Sequence, residues 1–376
     1  MNFTPFHSLR ITKIEIFKMN IPLKEPFVIS LGTVRETQNT VIKIHTNNGF
    51  YGVGECSPYP FIVGEIQASQ FEIAKMLAQL LIHKNPLEIE SRHNEMDQAI
   101  WGNFTIKSAF DIALYDIMGK YCQLPIYALL GGKNDKSYCT NMTVSLQSPE
   151  KMAQKASEFQ SAGFPFIKVK LGGNSHEDIA RIQAIRKVVD NKIPLRVDAN
   201  QGWEVQSAIA ILRELTPYHI AYCEEPISKW NANALVQIRN KCDIPIMADE
   251  SIGDHHDAFR LAQMGACDYF NIKLAKCGGL FKALKILEIG EAAGIKSQLG
   301  GMSESRLALT AGLHLAAARK SLFAYDLDSP LMLTEDPVIG GAIYHKNGQV
   351  TLCNEPGVGA DLDPGFLSKL EKTIVE

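Results

Sequence analysis

Five short apolar runs ending in a charged residue constrain this chain more than any other feature. They are Phe166–Leu171 (which contains Lys168 and Lys170), Leu195–Asp198, Ala221–Glu224, Ile244–Asp249 and Tyr269–Lys273. Asp198, Glu224, Asp249 and Lys273 follow one another at intervals of 26, 25 and 24 residues. Each interval holds one strand, one helix and two loops. Charges repeated at successive strand ends are how a βα barrel gathers distant residues into one site at the C-terminal mouth of its strands. Further strands are expected near 138–146, 295–299 and 322–326, which brings the count to eight. Amphipathic runs such as 176–189 and 280–293 lie between them, and near-constant spacing favours a closed parallel barrel over an open sheet.

Before the barrel the grammar differs. Residues 11–23 and 40–45 alternate as strands, the first ended by Pro22, with a loop over 24–33. Asn47-Asn48-Gly49 is a turn and 50–54 a returning strand. Helical spacing then appears over 64–83 and 105–121. The expected organisation is an α+β domain over 1–130, a barrel over 131–330, and a Gly- and Pro-rich segment over 331–376 that returns to the first domain.

The totals exclude several classes. A net charge of −3 over 376 residues gives no electrostatic case for nucleic acid or an anionic membrane. No apolar run approaches a bilayer-spanning length, and the first ten residues lack the basic-then-apolar pattern of a secretory leader. Eight scattered cysteines without a Cys-x-x-Cys read as reduced core thiols. A cytoplasmic protein is expected.

Three acids closing consecutive strands converge near the barrel axis. An all-oxygen set suits a hard divalent cation, Mg²⁺ first and Mn²⁺ second. One such acid alone reads better as a helix cap; three at constant period do not. Glu225 and Glu250 are expected on the opposite strand faces, outside the ligand set. Lys168 and Lys170 share one face of their strand, and Lys273 stands roughly across the barrel. A general base must be a neutral amine, and a neighbouring ammonium and a cation both shift a lysine that way. Two such bases on opposite sides of a metal-bound carboxylate can remove an α-proton from one face and return one to the other, through an enediolate.

The series Lys168-Val-Lys170, Asp198-Ala-Asn200, Glu224-Glu-Pro226, Ala248-Asp-Glu-Ser251 and Asn271-Ile-Lys273 resembles the enolase superfamily, specifically its muconate-lactonizing-enzyme subgroup, over essentially the whole chain. The resemblance implies a modified TIM barrel, (β/α)₇β, with an α+β capping domain completed by the C-terminal segment. It implies Asp198, Glu224 and Asp249 as Mg²⁺ ligands, Lys170 and Lys273 as the acid/base pair, and Lys168 as an auxiliary cation near the substrate carboxylate.

Asp326-Leu-Asp328 at the end of the eighth strand looks like the marker of dipeptide epimerases, where it holds the substrate ammonium. Thr143 and the stretch containing Gly301, Met302 and Ser303 also resemble that group and are expected to line the pocket. Ala-Glu epimerases resemble this chain but carry an Arg in the capping loop where Gly32 stands here, with Arg35 three residues on. Phe27, Ile29, Leu31 and 59–62 offer apolar surface instead. The expected reaction is therefore epimerisation of small hydrophobic dipeptides such as Ala-Ala or Ala-Val at the C-terminal α-carbon. An Ala-Glu epimerase is the alternative, and a cycloisomerase or succinylbenzoate-synthase-type lyase stands further off. The expected partner is the dipeptide alone, with no nucleic acid or membrane, in a homo-oligomer.

Overall fold

The computed structural model of the protein describes residues 6–376; the leader reading falls partly on residues 1–5, outside the described residues. Eight parallel strands form one sheet in strict chain order: Met142–Val144, Ile167–Lys170, Leu195–Asp198, Ile220–Glu224, Ile246–Ala248, Tyr269–Ile272, Lys296–Gly300 and Leu322–Asp326. All eight expected barrel strands are present. The expected strand over 138–146 is divided, because Tyr138–Cys139 pairs instead with Gln349–Thr351. The seam between the eighth and first strands is closed by single bonds: Asn141 N–H to Tyr325 O at 3.4 Å, and Leu327 N–H to Thr140 Oγ1 at 2.9 Å.

Ahead of the barrel, Ile11–Ile29, Gly32–Thr46 and Tyr51–Cys56 form an antiparallel sheet. Here the sequence reading needs correction. The first strand runs on past Pro22, and 24–33 is the tip of a long hairpin in which Phe27 lies opposite Val34 and Ile29 opposite Gly32. Proline has no N–H to give the ladder. The register slips between Pro22 and Phe27, and Leu23 bridges Leu333 in the C-terminal segment. The bulge carries the tip out over the barrel mouth. There Val28 N–H bonds Ser145 Oγ at 2.7 Å, Leu146 N–H bonds Val28 O at 2.9 Å, and Ser30 Oγ bonds Ala199 O and Asn200 O at 3.0 and 2.8 Å.

Helices Gln67–Leu81, Ile89–Ala99 and Phe104–Cys122 complete this part. The last is buried on nearly every side, because it lies between the capping sheet and the barrel. Gly52 and Gly54 let it approach, since a Cβ at either would stand 2.0 Å from a helix carbonyl. Two of its acids are paired beyond the helix: Asp116 accepts from Val53 N–H and Val358 N–H, and Asp111 from Leu280 N–H. The C-terminal strand Lys372–Val375 pairs with Ile14–Phe17 on the edge of the capping sheet.

Candidate active site

Burial and pairing together explain why the strand-end charges remain inside. Asp198, Glu224 and Asp249 are fully buried and present oxygens within 4.8 Å of one another. Asn271 Nδ2 donates to Glu224 Oε1 at 2.8 Å, and Gln298 Nε2 lies 3.4 Å from Oε2. Burial, then the neighbouring Asp198 charge, pushes Glu224 up to about 8. A buried carboxylate cluster offering only oxygen donors fits a divalent cation.

Lysines pair with every acid of the cluster. Lys170 Nζ donates to Asp198 Oδ2 at 2.6 Å and Asn200 Oδ1 at 2.9 Å. Lys273 Nζ lies 2.7 Å from Asp249 Oδ2. Lys168 lies deepest, 2.9 Å from both Asp198 and Glu224 and 2.7 Å from Asp326. Strands two and six are four apart in a ring of eight, so Lys170 and Lys273 face each other across the mouth. The acid partners bear directly on the amines of Lys273 and Lys168. Burial alone would lower them, but Asp249 and Glu224 hold Lys273 above its ordinary value, and Asp198, Asp326 and Glu224 do the same to Lys168. Acids outnumber ammoniums here, and contact pairs outweigh like-charge repulsion.

At the other end, Asp326 and Asp328 are buried. Asp326 uses one oxygen on Lys168 and receives Asn141 Nδ2 on the other at 2.8 Å. Asp328 is less compensated, 3.5 Å from the same amide. Burial, with Asp326 beside it, raises Asp328 to about 7. Thr143, Gly301, Met302 and Ser303 line the same cavity, together with Lys168, Lys170, Lys273, Asp326 and Asp328. Most of the remaining wall is apolar, from Leu23, Phe27, Ile29, Tyr59, Ile62, Met332 and Leu333, with Thr37, Asn200 and Ser329 among them. Phe61 covers Gly32, where a Cβ would stand 2.7 Å from its ring. Arg35 is exposed and lines an outer groove that shares Thr37, Tyr59 and Ser303 with the cavity; Arg35 itself does not line the cavity.

Glu225 is occupied by Asp249 N–H at 2.7 Å, Ser251 N–H at 3.1 Å and the Ser251 hydroxyl. Glu250 takes Asn200 Nδ2 at 3.0 Å. Sequence reasoning passed over Lys276, whose Nζ lies 2.5 Å from Asp249 Oδ1, and over Asn141, and it gave no role to Asn200 and Asn271, which stand in the quoted motifs. The signal for Lys276 and Asn141 was proximity to the strand ends, and nothing in their spacing separated them from loop polar residues.

Residues 11–131 match the mandelate racemase / muconate lactonizing enzyme N-terminal domain, and 151–366 the enolase C-terminal domain-like family. The chain belongs to the mandelate racemase / muconate lactonizing enzyme family. Within it, the chain groups with the dipeptide epimerases. It is 46% identical to a D-Ala-D/L-Ala epimerase of Cytophaga hutchinsonii, over 97% of this chain and 99% of that one. The crystal structure of the dipeptide epimerase from that organism, complexed with Mg and D-Ala-L-Val, superposes with a TM-score of 0.97, covering 98% of this chain and all of the other. A hydrophobic dipeptide epimerase of Enterococcus faecalis is 39% identical over 93% of this chain and 99% of its own; the structure of an epimerase from that source with Mg and L-Leu-L-Tyr gives a TM-score of 0.91. An N-succinyl-L-Arg/Lys racemase of Bacillus cereus is 36% identical over 96% of this chain and 98% of its own, with a TM-score of 0.94.

Proposed function

We propose that this enzyme epimerises small hydrophobic dipeptides at the C-terminal α-carbon, with Mg²⁺ held by Asp198, Glu224 and Asp249. The observation that carries the reading is one cavity with Lys170 and Lys273 on opposite sides of the acid triad and Asp328 at its far end. Magnesium, when bound there, polarises the substrate carboxylate and stabilises the charge that develops as the α-proton leaves.

The rest is the work of the chain. One lysine amine takes the α-proton onto Nζ, and the other gives a proton from its own Nζ to the opposite face. The roles exchange for the other configuration. The carboxylates that hold Lys273 and Lys168 charged belong largely to the proposed ligand set, so ligation weakens their pull on the lysines. Lys168 stays cationic beside the substrate carboxylate.

Asp328, the less compensated of the rim acids, receives the substrate ammonium, with Asp326 adding charge from its pair with Lys168. That ammonium distinguishes a dipeptide from an N-succinyl amino acid or a cycloisomerase substrate. The side chain of the C-terminal residue packs on Ile29, Tyr59, Ile62 and Met302, where a glutamate carboxylate would lack a cation. Phe61 fills the space beside Gly32, and Arg35 stays outside the cavity lining. Eight free cysteines support the expected cytoplasmic setting. Comparing kcat/KM for Ala-Val, Ala-Glu and N-succinyl-valine tests the reading. Ala-Val is expected to be fastest by about tenfold or more; preference for Ala-Glu or the succinyl compound would overturn it.

A further inference from the structure

Glu55 is a buried carboxylate that the proposed chemistry does not use and that does not line the substrate cavity. It is the last residue but one of the third capping strand, yet its partners lie mostly in the barrel. Oε1 accepts from Asn39 Nδ2 at 2.7 Å and Ser305 N–H at 2.8 Å; Oε2 accepts from Ser305 Oγ at 2.6 Å and Ala308 N–H at 3.2 Å. Asn39 Nδ2 also donates to Ser303 O at 3.0 Å. Two capping-domain residues thus grip both ends of the short stretch 303–305.

That stretch continues directly from the cavity wall. Glu304 accepts Met302 N–H at 2.5 Å, and Gly301 N–H donates to Asp326 O at 2.9 Å. Ser329 Oγ donates to Glu304 O at 2.8 Å, which ties the same loop to the segment after Asp328. Met302 packs into the capping cluster of Ile29, Tyr59 and Ile62. Its position is therefore set by a barrel loop whose anchor is a capping-domain acid.

We propose that Glu55, with Asn39, is a positioning residue for side-chain selection: by holding Ser303 and Ser305 it fixes Met302 against the apolar capping cluster, and so sets which C-terminal side chains fit. The inference rests on the dipeptide reading above. Glu55 touches neither lysines nor acid triad, so its loss alters binding and discrimination and leaves proton transfer intact. Glu55→Gln keeps the shape but turns one acceptor into a donor facing Ser305 or Asn39.

The test is steady-state kinetics of the full chain with Mg²⁺ on Ala-Ala and Ala-Val. Glu55→Gln and Ser305→Ala are expected to raise KM for Ala-Val and change the ratio of the two kcat/KM values by about threefold or more, with kcat within about twofold. Ser305→Thr, which keeps the hydroxyl, restores the wild-type ratio. An unchanged ratio in both variants, or an equal fall in kcat on both substrates, overturns the proposal. Should Glu55→Gln fail to fold, Ser305→Ala and its Thr rescue decide by the same criteria. A wild-type enzyme inactive on both dipeptides removes the reading underneath, and this inference with it.

Discussion

Lys170 and Lys273 share a side chain but not an environment, and the proposed chemistry depends on their lying on two sides of one substrate. Replacing either by alanine is expected to lower epimerisation by about 10³-fold. Each variant should still exchange the C-terminal α-proton of one configuration in deuterated buffer, and the two should differ in which. At the rim, Asp328 is raised to about 7. It is neutral below that pH and becomes an anion able to hold an ammonium above it. KM for Ala-Val is therefore expected to fall as pH rises from 6 to 7.5, until the substrate amine itself begins to lose its proton near ~8. Asp328→Asn should raise KM by about tenfold and abolish this pH dependence. These residues were legible in the sequence because chemistry places charge where a barrel strand ends. Lys168 was only half legible: its face was readable, but not that it would bridge the acid triad to Asp326.

Among elements, the eight barrel strands could be read because each couples a short apolar run to a charged terminus at a steady interval. Ile89–Ala99 escaped because its buried residues include Arg92 and His93, which bond Asn85 O through Nη1 and Asp111 through Nε2 in the interior. Pro22 misled because it marks a bulge, not an end. Helix Arg306–Ala318 shows another polar residue used as structure. His314 accepts Tyr127 N–H on Nδ1 at 3.3 Å and bonds Val358 O through Nε2 at 3.0 Å, joining barrel, capping domain and C-terminal segment. Burial lowers it from 6.5 to about 4. The folded state thus resists a proton that the unfolded chain accepts: this contribution to stability is complete above about 6.5 and is lost as pH falls towards 4, by about 3 kcal/mol. Denaturation of His314→Gln at pH 7.5 and 4.5 should show a smaller difference in stability between the two pH values than wild type. On the hairpin tip, Gly32→Ala must displace Phe61, and a severalfold higher KM for Ala-Val is the expected consequence.

At the scale of the molecule, two parts made from distant sequence share one cavity: the barrel supplies charge and the capping hairpin supplies apolar wall. Magnesium should raise the thermal midpoint of the wild-type enzyme, and Asp249→Asn should remove most of that rise. The division of labour explains what the sequence could and could not reveal. Charges at strand ends have a period, whereas the fit of Phe61 over Gly32, or of Met302 into the capping cluster, arises only when the domains meet. The most direct test of the central claim is proton NMR of the enzyme with Mg²⁺ in deuterated buffer, following α-protons of Ala-Ala, Ala-Val and Ala-Glu. The account predicts loss of the C-terminal α-proton signal alone, with the alternative diastereomer appearing, and with Ala-Ala or Ala-Val ahead of Ala-Glu. Retention of that proton in every dipeptide, or its exchange undiminished when both lysines are replaced, would contradict it.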